Sequence, residues 1–563
     1  MSYGILNLIR LLGSIALFLY GLKLMSESIQ KLVGENMRYV LGSMTKNRFS
    51  GILSGLLIAS IVQSSSATTV MVVSFVNTGL LGLTQAFGVI MGANIGTTAT
   101  TWLISILGLK INTVFVSLPL IGIVFPLLFS RKARLNYTAQ MFIGFALLFL
   151  GLDFLKASVP DIESNPGMYA FFQGFTGMGC ASTFIFIAVG MVLTIILQSS
   201  SATIALTLVM CNNGWIGLPE GAALLMGGNI GTTIKANLAG ITGNVNAKRA
   251  ALSHTVFNIL GVMVMLFVFN KYLHIIDTFL IAVGIDSAYS NCTSIPFALS
   301  VFHTSFSIIN AFIWVWFADI ILALTKLIIK DKKTAKESPK IDYLGKGYMQ
   351  LPELSLIEAK NLMLKYCDIS KRMFGFVKNL LHEKDEKESI QIFERIIKYE
   401  DITDKIEQEI TTFLINISNK EVSVTAKEKT RRMRIISIEI EKVGDTCNKM
   451  AYLIKKIRDE KIIFSEAHSE HIEKMFLLIE EAFSVMFECI NTENKKNLDK
   501  AFDIENRINE FRNILRNEQY ENLEKPDFNF KSSFYANELC NSCEKIGDNI
   551  FVVNKVILKV TVE

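Results

Sequence analysis

An internal repeat constrains this chain more than any other feature of its sequence. The run QSSSAT occupies residues 63–68 and returns at 198–203, and the run NIGTT occupies 94–98 and returns at 229–233. Both pairs are offset by 135 residues, and the residues that separate the two runs align without a gap. The first part of the chain is therefore a duplication, and its two halves are expected to share one fold.

Acidic residues divide the chain into an apolar and a polar part. Only 9 of the 51 Asp and Glu side chains precede Asp331, and none lies between Phe49 and Leu152. A carboxylate inside a bilayer is costly, and a stretch of that length crosses a bilayer several times. We predict an all-α protein with a polytopic membrane domain over 1–330, made of repeats at about 5–130 and 138–325. A basic linker over 331–350 and a soluble helical domain over 351–563 follow.

The positions of Lys and Arg predict that the two halves have opposite orientations, because short cytoplasmic loops accumulate these residues. The loop after the first span is basic, with Arg38 and Lys46 among its residues, whereas the loop after the predicted span 138–155 pairs Lys156 with Asp161 and Glu163. Placing the other basic clusters, at 131–134, 248–249 and 330–333, on the cytoplasmic side requires an odd number of crossings in each half. That arrangement is an inverted-topology repeat.

The repeated motifs predict irregular structure inside the membrane. Runs of Ser and Thr are weak in helix interiors and favoured at helix starts, so 63–69 and 198–203 are predicted to be the tips of re-entrant hairpins. The NIGTT runs at 94–98 and 229–233 are predicted to be breaks in discontinuous helices.

Two hairpin tips that meet near the middle of the bilayer are suited to a tetrahedral oxyanion. Hydroxyls and free N–H groups at helix starts replace the water around an anion, and no carboxylate is present to repel it. The candidate anion ligands are Ser64, Ser65, Ser66, Ser199, Ser200 and Ser201. Sodium needs hard oxygen ligands, and the candidates are Gln63, Gln198, Asn94, Asn229, Thr97, Thr98, Thr232 and Thr233.

Other interpretations of these residues are weaker or stay open. Small polar residues also pack membrane helices together, but duplication in identical register makes packing alone a poor explanation. A serine nucleophile lacks a general base, so an enzyme is not expected. Lys235 stands where the first half has Thr100, and a functional cation and a snorkelling lysine are equally good interpretations. His254 and His303 are interpreted as packing histidines rather than proton carriers.

The polar part of the chain has its own repeat. Apolar residues recur at helical spacing in six segments, 353–381, 386–418, 425–458, 465–493, 496–520 and 531–560. EKVGD at 441–445 returns as EKIGD at 544–548. Carboxylates four residues apart repel each other unless a cation lies between them, so a metal cluster and a solvated acidic face are both open. The candidate metal ligands are Glu400, Asp404, Glu441, Asp445, Glu544 and Asp548.

The membrane part resembles the type II sodium-phosphate cotransporters, whose signature is the duplicated QSSS motif followed in each half by an NIGT element. The resemblance covers about residues 1–330. It implies that the six serines line a phosphate site and that Gln63, Gln198, Asn94, Asn229, Thr97 and Thr232 lie at or near sodium sites.

The tail resembles PhoU-type phosphate-signalling domains, which are six-helix bundles that bind metals through Glu-x-x-x-Asp pairs. This resemblance implies a divalent or transition metal. The weaker echo of residues 400–404 ends in Asn509 where that family usually has Asp, which puts one metal position in doubt. The first half of the membrane part holds no acidic residue in its core, so a sodium site that needs a carboxylate is not placed.

We therefore expect a sodium-dependent phosphate symporter of the inner or plasma membrane, with phosphate, sodium ions and lipid as its partners. Its cytoplasmic PhoU-like tail is expected to be regulatory, and a homodimer is one option for its assembly. The net charge of +5 gives no footprint for nucleic acid. The alternatives are a phosphate exporter, a transporter of another oxyanion, and a membrane phosphate receptor that signals through the tail.

Overall fold

A computed structural model describes residues 5–33, 47–108, 113–159, 166–330, 352–420, 422–492, 496–522 and 529–558. The described residues form helices and contain no β-strand, which confirms the all-α class. Contacts divide the chain into one unit over Met1–Leu354 and another over Ser355–Glu563. The predicted linker, 331–350, lies outside the described residues, and so do Arg38, Lys46, Asp161 and Glu163, which the predicted orientation uses.

The first unit is a set of apolar helices. They are α1 (Ile5–Val33), α2 (Arg48–Val62), α3 (Ser65–Thr78), α4 (Leu83–Trp102), α5 (Thr113–Val124), α6 (Ala133–Ser158), α7 (Pro166–Gln173), α8 (Cys180–Leu197), α9 (Ser200–Asn212), α10 (Leu218–Ile241), α11 (Val245–Ala282), α12 (Ile295–Trp316) and α13 (Ala318–Ile328). Six described segments are long and apolar enough to cross a membrane, and they contain α1, α4, α6, α8, α11 and α12. The first unit is therefore built for repeated membrane crossing.

The duplicated sequence folds into equivalent helices. The run α2, α3, α4 corresponds to α8, α9, α10, and the breaks between these helices fall at equivalent residues. The two halves are also interlocked: α3 packs against α10, α9 packs against α4, and α1 packs along α6. Helices of each half therefore pack against the hairpin of the other half.

The NIGTT runs lie inside continuous helices, so the predicted breaks were wrong. Helix α4 passes through 94–98, and α10 passes through 229–233, without interruption. The threonine hydroxyls bond back to the preceding turn: Thr97 Oγ1 donates to Ala93 O at 3.0 Å, and Thr232 Oγ1 donates to Gly228 O at 2.9 Å. These hydroxyls are therefore satisfied within the helix and do not interrupt it.

The glycines around these runs allow helices to touch backbone to backbone. A Cβ atom added to Gly92 would lie 1.9 Å from the carbonyl oxygen of Ile52 in α2. At the equivalent contact of the second half, a Cβ on Gly227 would lie 2.0 Å from the carbonyl oxygen of Ile187 in α8. Only glycine permits such an approach, as in other membrane helix pairs. Gly92 and Gly227, which precede the two runs, therefore pack α4 and α10 against neighbouring helices.

The second unit is the predicted six-helix domain. Its described helices are α14 (Pro352–His382), α15 (Glu386–Ser418), α16 (Val424–Asp459), α17 (Glu466–Thr492), α18 (Asn497–Asn522) and α19 (Phe530–Ile557). Helix α16 packs against α15 and α19, and α19 also packs against α17 and α18. Aromatic rings fill the core, where Phe374 of α14 lies 5.4 Å from the ring of Phe476 in α17. Each predicted segment corresponds to one of these helices.

Candidate anion and cation site

Two helical hairpins turn at the QSSS motifs with the same backbone geometry. Gln63 directly follows α2 and Gln198 directly follows α8, both with φ of 52°. The next residues, Ser64 and Ser199, are extended, both with φ of −153°. A left-handed glutamine costs about 1–2 kcal/mol, and Lys461 is the only other non-glycine residue with positive φ in the described part of the chain. The hairpin tips are therefore strained in the same way in both halves.

The serine after each turn caps the following helix. Ser64 Oγ accepts a hydrogen bond from the N–H of Ala67 at 3.2 Å, and Ser199 Oγ accepts one from the N–H of Ala202 at 3.2 Å. The other N–H groups of the first turns of α3 and α9 have no carbonyl partner within their helices. Both tips thus present N–H donors and the positive end of a helix dipole, which favour an anion.

A cavity of about 160 Å³ lies where the second tip meets α3. It is lined by Ser66, Thr194, Ile195, Gln198, Ser199, Ser200, Gly231, Thr232, Ile234, Lys235 and Leu238. Residues from both halves therefore line one space, and its volume corresponds to several water molecules, which is enough for a small oxyanion.

The other predicted anion ligands lie outside the lining of this cavity. Ser64 Oγ is 3.3 Å from Ser66 Oγ, so it belongs to the same cluster of hydroxyls. Ser65 and Ser201 are buried in the helix packing. Since Ser65 is the counterpart of Ser200, and Ser201 of Ser66, the two halves contribute different members of the repeated triplet.

The predicted sodium ligands are divided between this cavity and other places. Gln198 and Thr232 line the cavity. Gln63 is held by its neighbours, since its Oε1 accepts a hydrogen bond from Thr100 Oγ1 at 2.7 Å. Thr98 and Thr233 donate to carbonyls of their own helices, to Ile95 O and Ile230 O, both at 2.8 Å. A hydroxyl that donates its proton still offers lone pairs to a cation.

The two asparagines differ between the halves. Asn94 Nδ2 donates to Asn258 Oδ1 at 2.9 Å, and Asn94 Oδ1 lies 3.3 Å from His254 Nε2, so α11 engages both ends of its amide. Asn229 has no side-chain hydrogen bond to the residues that the structure describes. No sequence pattern pointed to the pairing of Asn258 with Asn94, because the two residues are 164 positions apart.

The two buried histidines join helices. His254 contacts Asn94 of α4 from α11, and His303 Nδ1 lies 2.8 Å from Thr101 Oγ1 of α4 from α12. Thr194 is a further residue that sequence reasoning missed; it lines the cavity, and its Oγ1 donates to Thr203 Oγ1 at 2.9 Å. Its position one turn before the second hairpin tip was the available signal.

An acidic cluster in the second unit brings together three predicted metal ligands. Carboxylate oxygens of Glu400, Asp404 and Asp445 lie within 4.8 Å of one another. Partial burial, and then repulsion between these carboxylates, raises the pKa of Glu400 and of Asp404. The pKa of Glu441 is raised by burial and by Asp445 and Asp404. The first cluster therefore concentrates negative charge that a cation would relieve.

The second acidic cluster, made of Glu505, Glu544 and Asp548, offsets part of its own negative charge. Burial, and then a hydrogen bond with Asp548, raises the pKa of Glu505 to about 8, and Glu505 accepts a hydrogen bond from Asn509 at 3.1 Å. Glu544 lies 3.4 Å from the guanidinium of Arg512. A proton on Glu505 and the guanidinium of Arg512 thus offset most of the negative charge of this cluster.

Comparison with known proteins follows the division into two units. A family model described as Na+/Pi-cotransporter matches residues 17–157 and 171–286, and a PhoU domain model matches residues 363–454. The chain is 24% identical to the "Putative inorganic phosphate export protein YjbB" of Salmonella typhimurium, over 83% of this chain and 80% of that protein. No solved structure matches the chain significantly.

Two further relatives match shorter stretches of the chain. The chain is 30% identical to the "Uncharacterized protein YqeW" of Bacillus subtilis, over 46% of this chain and 82% of that protein. It is 39% identical to the "Sodium-dependent phosphate transport protein 2B" of Homo sapiens, over 18% of this chain and 15% of that protein. With its duplicated hairpins and its family match, this chain belongs to the Na+/Pi-cotransporter family.

Proposed function

We propose that this protein transports inorganic phosphate across a membrane in a sodium-dependent way, and that phosphate binds in the cavity between the two halves. One observation carries the proposal: Ser66 of the first half and Ser199 and Ser200 of the second line a single cavity at the start of two helices. A carrier with alternating access needs a site that both halves share, and this cavity meets that requirement.

The chemistry of the lining suits a phosphate anion. Serine hydroxyls and first-turn N–H groups donate hydrogen bonds to its oxygens, and the positive ends of the two helix dipoles favour its charge. The family to which the membrane unit belongs is a family of transporters, and its coupling ion is sodium. We assign the sodium ligands to the side-chain oxygens of Gln198 and Thr232 beside the phosphate and to the equivalent side chains of Gln63 and Thr97 in the first half.

We further propose that the tail is cytoplasmic and regulates transport in a bacterial inner or plasma membrane. Carboxylates from α15 and α16, at Glu400, Asp404 and Asp445, fit a hard divalent cation, because carboxylate oxygens are its preferred ligands and their repulsion needs a counter-charge. A metal there would hold the two helices together. A homodimer remains our proposal for the assembly.

Net export is the second candidate for the direction of transport. A relative that matches 83% of this chain bears a name that includes phosphate export. A secondary carrier follows the gradients of its substrates, so the same site serves uptake or export. A regulatory tail that responds to the state of the cytoplasm fits a protein that releases excess phosphate.

Labelled phosphate flux in proteoliposomes tests the function. Phosphate flux should require sodium and should follow an imposed sodium gradient, and arsenate should compete. Ser66→Ala and Ser200→Ala should each weaken phosphate binding roughly 10- to 100-fold, since each removes a hydrogen bond to a charged ligand. The counterparts Ser201→Ala and Ser65→Ala are matched controls and should change binding less.

The same preparation separates a carrier from a receptor. Saturable phosphate binding without any flux, in the full chain and after removal of residues 355–563, would identify a receptor. Equal effects of Ser200→Ala and Ser65→Ala would contradict the assignment of the cavity, and an absence of phosphate binding by the unchanged protein would contradict the function itself.

A further inference from the structure

Lys235 is a positive charge beside the proposed phosphate site. It lies on α10, two residues after the NIGTT run, and lines the cavity together with Ser66, Ser199 and Ser200. Its ammonium donates a hydrogen bond to the main-chain carbonyl oxygen of Gln198. The side chain therefore points into the second hairpin tip rather than away from it.

The counterpart of Lys235 shows what the charge adds. Thr100 occupies the equivalent position on α4, and its hydroxyl donates to the side-chain Oε1 of Gln63 at 2.7 Å. Both residues thus hold the glutamine at the tip of the hairpin in their own half. The first half does this with a neutral hydroxyl, whereas the second half does it with a cation.

The acceptor of Lys235 is an oxygen that suits a metal cation. Gln198 follows the last residue of α8, where carbonyl groups lack partners within the helix and the helix dipole is negative. Carbonyls at such helix ends coordinate sodium in carriers built from inverted repeats. An ammonium bonded to this oxygen occupies the place that a sodium ion would take.

The charge of Lys235 is not neutralised by a neighbouring carboxylate. Among the residues that the structure describes, no Asp or Glu forms a salt bridge with it, although such pairs are resolved elsewhere, for example between Lys156 and Asp153 at 3.2 Å. Lys235 is half-buried, so water screens its charge only in part. An anion in the cavity is the natural counter-charge.

We propose that Lys235 is a tethered cation that replaces one coupling sodium ion in the second half and supplies its charge to bound phosphate. The inference rests on the proposed function. It follows that phosphate binds measurably without sodium, and that the sodium dependence of this carrier comes mainly from the first half, where Thr100 brings no charge.

Phosphate binding by the full chain in detergent tests this role. Inorganic phosphate is titrated in choline buffer and then at increasing sodium concentrations. Lys235→Thr, which copies the first half, should weaken sodium-free phosphate binding roughly 10- to 100-fold, since it removes a charge-assisted hydrogen bond. The Hill coefficient for sodium should rise by about one, because a sodium ion then takes the vacated place. Lys235→Gln should behave like Lys235→Thr.

Matched variants distinguish charge from folding. Lys235→Arg keeps the charge and should retain sodium-free binding, and Lys271→Thr removes an exposed lysine of α11 and should change nothing. Thermal unfolding of each variant checks that it is folded. If the Lys235→Thr and wild-type curves coincide, or if Lys235→Arg resembles Lys235→Thr, the role of Lys235 is refuted while the phosphate site stands. If the wild-type protein binds no phosphate at any sodium concentration, the proposed function itself is refuted.

Discussion

A methyl group added to Gly92 should disrupt the contact that positions the first hairpin. The Cβ of Gly92→Ala would lie 1.9 Å from the carbonyl oxygen of Ile52, and real Cβ atoms essentially never approach a neighbour within 3.0 Å. The helices α2 and α4 must therefore separate by about 1 Å, and neither partner atom belongs to a side chain that could rotate away.

The size of the effect follows from two opposing terms. Overpacking of this kind costs about 1–3 kcal/mol and more when backbone must move, whereas Gly→Ala inside a helix contributes up to about 1 kcal/mol of stability. The steric cost should win, and the thermal midpoint should fall on the order of 5 °C. Phosphate transport should fall as well, because α2 carries Gln63 at its end.

Thermal unfolding in lipid nanodiscs, with flux in proteoliposomes, measures both effects. Gly227→Ala should behave like Gly92→Ala, since its Cβ would lie 2.0 Å from the carbonyl oxygen of Ile187. Gly13→Ala is the matched control, because a Cβ at Gly13 meets nothing within 4 Å. If Gly92→Ala is as stable and active as Gly13→Ala, then α2 and α4 do not touch at this glycine and the packing role is wrong.

The two acidic clusters of the second unit should respond differently to substitution. Asp445→Asn should weaken Mn²⁺ binding by the full chain at least tenfold in calorimetry, whereas Asp548→Asn should leave it unchanged; equal losses would contradict the difference between the clusters. Glu505 is protonated in the folded state up to a pKa of about 8 but ionises near 4.5 when unfolded, so the stability it contributes is complete below pH 4.5 and is lost as pH rises through 8. Hydrogen exchange in α18 and α19 should show this loss in the wild-type protein and not in Glu505→Gln, and a loss of the same size in both would show that another group is responsible.

Periodicity predicted the helices of the second unit well. The segment predicted at 386–418 is α15, Glu386–Ser418, and the others agree to within a few residues. Apolar and polar positions alternate there with a 3.6-residue period because one face meets the core and the other meets water. Membrane helices give no such contrast, since lipid and protein interior are both apolar, and their ends were found from polar motifs instead.

The polar motifs predicted helix starts correctly and helix breaks wrongly. Ser64 and Ser199 begin helices, as their propensity indicates, because a serine side chain replaces the missing acceptor at a helix start. The NIGTT runs failed as predicted breaks because Gly and Thr have a second use in membranes. Glycine allows close packing, and threonine satisfies its own hydroxyl on the preceding turn. A run of Gly and Thr is therefore compatible with a helix break or with close helix packing. Which of the two forms depends on the neighbouring helix.

Which serines face the cavity also could not be predicted from the sequence. Ser66 lines it while its counterpart Ser201 is buried, and Ser200 lines it while its counterpart Ser65 is buried. The direction of a side chain at a helix start depends on how the whole hairpin is rotated against the opposite half. That rotation is set by packing between α3 and α10 and between α9 and α4, which are long-range contacts.

The two halves have equivalent hairpin backbones but differ in charge at the equivalent positions Thr100 and Lys235. A carrier made of two identical inverted halves has two states that mirror each other, so their energies are equal without a gradient. In this chain the hairpin tips keep that symmetry, with Gln63 and Gln198 in the same left-handed conformation. The exchange of Thr100 for Lys235 breaks it with a full charge on one side only. If phosphate binds beside Lys235 as proposed, the field at the anion differs between the two states, and the loaded carrier has a preferred state even at equal phosphate and sodium on both sides. The charge of Lys235 then adds to the other side-chain differences between the halves in biasing a symmetric fold.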